Sequence, residues 1–424
     1  MDNENVSCAY DGEENAQLSP LQRLPVEIFL HICSFLDGST LVHGLSLVCT
    51  RFYLILKNAN SLWKARINHI WPDASYPLLP PARPDKLCWM LSYVAIKQQT
   101  ALWKQQESRK KRLFIKKTHG PIIGAVSLMH NGISHVVYTS DLHLLYKELP
   151  SGKKLSHEIE NSGRKYAHSS GITDLTAIDN TIYSCSMDPN VKSWMLTNTG
   201  LVHQRTYNLL YSSLWSSVLS SCPGPGRDLF AWTGLSCGTI YVFDSRSRNN
   251  PIRHYRPHTR DVNMLAMNTE YILSASEDTV SVWDQRAGRI IKSITFPGEA
   301  HPTCINMRRD LVFVGTRTWD TFRSWNFSKL HVLNPKDDFE LVKSYSTKHT
   351  QDITGMCVTH ECLITSSKDD TVRISSLTDP PKSIATLRSK IGIFDMDYLN
   401  GILAISGNGI EVWCSKLTCS RKQQ

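Results

Sequence analysis

The chain has 424 residues, 41% hydrophobic and 20% charged. That composition excludes a wholly disordered, collagen-like or coiled-coil protein and fits two or three globular domains. The formal charge of +9 is unevenly spread: residues 1–20 hold five acids and no base, residues 21–120 hold fifteen bases against five acids, and the other 304 hold thirty-two against twenty-eight. A nucleic-acid binder would carry a basic stripe on its main domain, so no nucleic-acid partner is expected. No apolar run is long enough to cross a membrane, and the acidic first 20 residues lack a secretory layout. Twelve cysteines without a CxxC pair imply reduced thiols, in the cytoplasm or the nucleus.

After the acidic tail (1–20), expected to be disordered, the run LPVEIFLHICSFLD starts at Leu24-Pro25. Ile28, Ile32, Phe35 and Leu36 follow a helical period, Pro25 suits a first turn, and Asp37-Gly38 is expected to end the run. A second periodic run holds Leu41, Leu45, Val48, Phe52 and Leu56, then Leu62-Trp63. Short helices within about 40 residues cannot enclose a large core. Either they form a small capping bundle, or part of their apolar surface is completed by a partner.

The order of Leu-Pro, Phe-Leu, Val-Cys and Leu-Trp in this stretch resembles an F-box, taken here as residues 21–66, with Phe52 where many members have Trp. The resemblance implies docking on Skp1, the adaptor of cullin-RING ubiquitin ligases. Leu24, Pro25, Ile28, Ile32, Phe35 and Leu36 would contribute from the first run. Leu41, Leu45, Val48, Cys49, Phe52, Leu62 and Trp63 would contribute from the second.

Residues 67–111 read as a linker. WPDASYPLLPPARP is extended, and a helical run with Leu87, Leu91, Val94, Ala101 and Leu102 follows an Asp85 cap. Arg109-Lys110-Lys111-Arg112 closes that run as a solvated helix end or a nuclear import signal.

From residue 112 to 420 the pattern changes to short strands. In residues 258–296 four runs (262–267, 271–276, 280–284 and 290–295) are separated by polar turns, and similar units recur to a total of seven. Four strands at a period in the forties resemble a WD40 β-propeller. The last unit lacks a fourth strand, and residues 112–117 are a spare one, so these are expected to pair and close the ring. Residues 421–424 remain as a tail.

Within the units, His168, Asp188 and Trp194, His258, Asp278 and Trp283, His349 and Asp369, and Trp413 fall at related positions, with serines between. A Ser-His-Asp set suggests catalysis, but this one recurs and an active site occurs once; it resembles the bond chain that pins a blade's turn to its strands. Ser375 stands where Trp is expected, the third unit lacks the His, and a weak fifth unit starts at His301. The SxxK string at Ser162–Lys165 reads as a polar loop. No catalytic residue, metal or cofactor is expected.

Substrate contacts are sought on the loops before each first strand and between the second and third. Arg260 lies on one such loop. In the fifth unit RTWDTFRSWNFS (317–328) reads as a long insert carrying Arg317, Trp319, Phe322, Arg323 and Trp325, an aromatic and arginine composition typical of hot spots. The rival parse makes Trp325 a blade residue. Taken together, helices, linker and propeller resemble the F-box/WD-repeat substrate receptors. That resemblance implies a non-enzymatic adaptor holding Skp1, and through it a cullin/RING core, at one end and an unknown protein substrate at the other. A propeller scaffold that binds Skp1 without directing ubiquitylation is the alternative.

Overall fold

The computed structural model describes residues 19–70, parts of 89–104, 112–115, and 121–414 apart from 132, 150–161, 189, 209–216, 225–226, 235–237, 247–249, 298–299, 309–310, 320–325, 360–361, 377–379 and 400. The expected acidic tail up to residue 18, the stretch 71–88 and the C-terminal tail lie outside these. The chain divides into two compact units, residues 1–101 with 376–382, and residues 102–375 with 383–424.

The first unit is helical: α1 (Val26–Phe35), α2 (Gly38–His43), α3 (Thr50–Asn58) and α4 (Asn60–Ile70), with 3-10 turns at Pro20–Arg23 and Leu45–Leu47. Pro25 is the N-cap of α1 and not its first residue, and Asp37 begins a helix instead of only ending one, since its carboxylate accepts from Ser39 N–H at 2.8 Å. Phe29 and Cys33, four apart on α1, face inward. Phe29 stacks on Phe52 at 4.6 Å. Trp63 is fully buried and donates its indole N–H to the Leu56 carbonyl at 2.6 Å. Arg66 donates to the Cys33 and Leu36 carbonyls at the end of α1, where a cation also suits the helix dipole. The described residues between 89 and 101 are helical; Tyr93 packs against Trp63 and Lys97 pairs with Asp37 at 3.1 Å.

The second unit is a ring of seven four-stranded antiparallel sheets. Blade one is β2 (Ala125–His130), β3 (Ile133–Ser140), β4 (His143–Glu148) and β5 (Ser162–Tyr166). Blade two is β6 (Ile172–Ile178), β7 (Thr181–Ser186), β8 (Asn190–Thr197) and β9 (Gly200–Asn208). Blade three is β10 (Ser217–Gly224), β11 (Arg227–Gly234), β12 (Ile240–Asp244) and β13 (Arg253–Tyr255). Blade four is β14 (Met264–Met267), β15 (Tyr271–Ala275), β16 (Thr279–Asp284) and β17 (Arg289–Thr295). Blade five is β18 (His301–Arg308), β19 (Leu311–Trp319), β20 (Asn326–Asn334) and β21 (Glu340–Ser346). Blade six is β22 (Ile353–Val358), β23 (Leu363–Ser367), β24 (Thr371–Ser375) and β25 (Ser383–Arg388). Blade seven is β26 (Asp395–Leu399), β27 (Ile402–Ser406) and β28 (Ile410–Cys414), completed by β1 (Arg112–Ile115), whose register runs from Arg112 opposite Trp413 to Ile115 opposite Ile410. Arg112 therefore belongs to a strand and not to a basic helix end.

Each blade's first strand neighbours the first strand of the next, around to β26 beside β2, so the ring is closed. The apolar cores lie between consecutive sheets. Trp194 with Ile182 and Leu196 fills the seam between blades one and two. Phe230, Phe243 and Tyr207 fill the next. Trp103, 2% exposed, is inserted with Trp413 among the core residues of blades six and seven, its ring against Tyr398.

Candidate functional site

On α1 a second apolar stripe stands beside the buried one. Ile28, Ile32 and Phe35 repeat at i, i+4 and i+7 and face solvent, Phe35 with 78% of its surface exposed. Leu47 (75%) and Val48 (65%), in the turn before α3, are similarly open. These side chains form an apolar patch that the unit's own helices leave uncovered. Of the residues assigned to docking, Pro25, Ile28, Ile32, Phe35 and Val48 are exposed, and Leu24, Leu36, Leu45, Cys49 and Leu62 are half-buried. Leu41, Phe52 and Trp63 are at most 2% exposed and form the unit's own core. Leu47 was missed because it sits in a 3-10 turn, outside a 3.6-residue period. A separate apolar groove of about 320 Å³ is lined by Val26, Leu30, Leu54, Ile55, Asn58 and Ala59.

In the propeller, blade two carries a complete bond chain. Trp194 donates its indole N–H to Ser184 Oγ (2.9 Å), Ser184 donates to His168 Nε2 (2.8 Å), and His168 Nδ1–H donates to Asp188 (3.0 Å). Burial pushes the Asp188 carboxyl up, but bonding to His168 and Ser169 more than offsets it and holds the pKa below its ordinary value. Blade six repeats the set with Thr365, His349 and Asp369, whose carboxyl is likewise held low against burial by His349 and Thr371. The chain stops there because Ser375 occupies the Trp position.

Blade four departs from expectation. His258 bonds Ser274 Oγ at 2.9 Å, but its other nitrogen meets the Thr279 hydroxyl at 3.5 Å instead of Asp278. Trp283 stacks on Tyr255 of blade three at 4.0 Å. Burial holds the His258 imidazole below its ordinary pKa. The weak fifth unit does start at His301, the first residue of β18, whose ring meets the Glu277 carbonyl at 2.7 Å. The SxxK string is strand β5, not a loop.

In blade five β20 runs over Asn326–Asn334 and β21 over Glu340–Ser346, so Leu333 takes the place that Trp194 and Trp283 hold beside the same bulge. The insert is shorter than a 317–328 loop, because the hairpin strands extend until Trp319 pairs with Asn326. Phe322, Arg323 and Trp325 lie outside the described residues, as does the Trp319 side chain. Both described arginines of the expected binding face are engaged: Arg260 pairs with Glu277, and Arg317 pairs with Asp352 at 3.1 Å.

The inner strands line a cavity of about 460 Å³ between blades seven, one and two, with Asp395 and Asp397 on its wall. Asp397 accepts from Ser127 N–H of blade one (2.6 Å), and Asp174 accepts from Leu219 N–H of blade three (2.8 Å), so each carboxylate ties its blade to the next. Burial raises all three carboxyls, Asp174 to about 7, and Asp174 and Asp397 add like charge at Asp395. Among the described residues no group of His, Cys, Asp and Glu has the arrangement to hold a metal ion, and no helix is long and apolar enough to cross a membrane.

A helical unit with an open apolar stripe, followed by a seven-bladed propeller, is the general architecture of SCF-type substrate receptors. Residues 21–68 match the F-box-like family. The chain is similar to F-box/WD-repeat proteins. It is 26% identical over 403 residues to F-box/WD repeat-containing protein 9 of Homo sapiens, covering 93% of this chain and 82% of that one. It is 24% identical over 317 residues to F-box/WD repeat-containing protein mec-15 of Caenorhabditis elegans, covering 71% and 74%. Among solved structures, the computationally designed Ika8 protein matches 71% of this chain and 98% of its own with a TM-score of 0.50 at 16% identity, a likeness of fold alone.

Proposed function

We propose that the protein is the substrate-recognition subunit of an SCF-type ubiquitin ligase, holding Skp1 through the stripe of Ile28, Ile32, Phe35, Leu47 and Val48 and a protein substrate through the propeller. The observation that carries this reading is the exposure of that stripe on a unit that already has its own core in Phe29, Leu41, Phe52 and Trp63. An aromatic anchor flanked by aliphatics fits the apolar centre of a protein interface. The recurring His, Ser and Asp sets are inside blades and pin them, so the propeller supplies position and not chemistry. The test is affinity purification of the full chain from cells followed by blotting for Skp1 and a cullin. Recovery of both supports the reading. Skp1 without a cullin leaves a scaffold, and neither protein refutes the proposal.

A further inference from the structure

Several bases on this propeller are paired with an acid: Arg260 with Glu277, Lys292 with Asp338, and Arg317 and Lys368 both with Asp352. The seam between blades one and two differs. Arg164 and Lys165 project from β5, and Lys192 from β8 reaches across to the Ala167 carbonyl at 2.6 Å. Among the described residues none of these three makes an ion pair; Arg164 instead meets the His143 ring at 3.1 Å. Burial, then the charge of Lys192, with smaller contributions from His168 and Lys165, holds the His203 imidazole on β9 below its ordinary pKa, so Lys192 and Lys165 share one field. Asp188 does not relieve it, being taken up by His168 and Ser169. Glu148 lies at the other end of β4, in register with His135.

Two further features choose the kind of partner. Among the described residues the strand β5 is the outermost of its sheet, with β4 as its one hydrogen-bonded neighbour, so its outer edge offers main-chain groups to an extended chain. Tyr166, 60% exposed, follows Lys165 on that strand and shares with Arg164 the face that meets His143. The propeller as a whole is near neutral, and a localised basic edge fits a short anionic peptide better than a nucleic-acid backbone.

We infer that the edge of blade one formed by Arg164, Lys165 and Tyr166, backed by Lys192 of blade two, is a docking site for an acidic, extended peptide segment of a protein partner. This rests on reading the propeller as the recognition domain, and it names the chemistry of what is recognised.

The test uses the full chain and three fluorescein-labelled probes: a peptide of alternating glutamate and tyrosine, its lysine counterpart, and a single-stranded DNA of similar length. Fluorescence anisotropy should show binding of the acidic peptide alone, weakened as salt is raised. The Arg164→Glu/Lys165→Glu chain should bind it at least about tenfold more weakly with an unchanged melting temperature, and Arg164→Lys should retain binding. If the double variant melts early, Lys165→Gln with Tyr166→Ala provides the same reading. Equal binding of the lysine peptide, or undiminished binding by the charge-reversed chain, overturns the inference. Tighter binding of the DNA, lost in the same variant, overturns it in favour of a nucleic-acid site. Skp1 capture measured on the same samples separates the two proposals, since its loss with retained peptide binding would count against the F-box reading alone.

Discussion

The two units solve the problem of apolar surface in opposite ways. The propeller closes: each sheet buries a face against the next, and β1 covers the strand that would otherwise be the last blade's exposed edge. The helical unit stays open. Its core is a few side chains around Phe29, Phe52 and Trp63, while Ile28, Ile32 and Phe35 on the same helix face water. A helix turn spaces both stripes identically, so what separates structure from docking is which stripe meets the unit's other helices. In the propeller most apolar groups hold the domain together; in the helical unit those left over are the surface proposed to receive another protein.

The largest break in that contrast would come from opening the ring. A chain beginning at Gly120 lacks β1 and Trp103, while one beginning at Asp85 keeps both. Loss of a buried Trp alone costs about 3–5 kcal/mol, and an unpaired β28 adds to it. The shorter chain should melt well below the longer one by calorimetry, and equal melting would show that closure does not depend on the spare strand.

A smaller effect compares blades within the ring. His168→Ala leaves the buried Asp188 carboxylate without its imidazole hydrogen-bond donor and should cost about 3 kcal/mol. In blade four, where His258 has hydroxyl partners, His258→Ala should cost about 1 kcal/mol. Urea denaturation distinguishes them, and equal losses would mean that the carboxylate adds nothing to the pin.

The smallest effect has the opposite sign. The channel carboxyls have raised folded pKa values, so the folded state favours their protonated forms. Their contribution is complete below the ordinary carboxylate range near about 4 and is lost as pH rises through the folded value, about 7 for Asp174. The melting temperature should therefore fall as pH passes from mildly acidic through neutral. Asp395→Asn should flatten that fall and stabilise the alkaline side, and an unaltered pH profile would show that channel water screens these groups.

Much of the propeller was legible because strand alternation and turn chemistry are local. In blade four the strands lie within two residues of the alternating runs. What the sequence misassigned depended on contacts across seams. Asp278 and Trp283 have plausible spacing, but Thr279 takes the place of Asp278 beside His258, and Trp283 stacks on Tyr255 of blade three. Trp103 stands out of step with Ala101 and Leu102, and its burial comes from blades six and seven, hundreds of residues away. In the helical unit the apolar positions were evident, but periodicity could not sort Phe52 and Trp63, which are core, from Phe35 and Val48, which are surface. The arginines looked available because their acid partners lie 17 and 35 residues further along the chain.

The most direct test of the contrast is the affinity of the full chain for Skp1 with and without the open stripe. Phe35→Asp with Val48→Asp changes two exposed side chains and should leave the melting temperature unchanged. Placing charge at the centre of an apolar interface costs several kcal/mol, on the order of a thousandfold in Kd. Titration calorimetry should then show tight binding by the parent chain and none by the variant at the same concentrations; a folded variant that binds Skp1 as tightly as its parent would contradict the account.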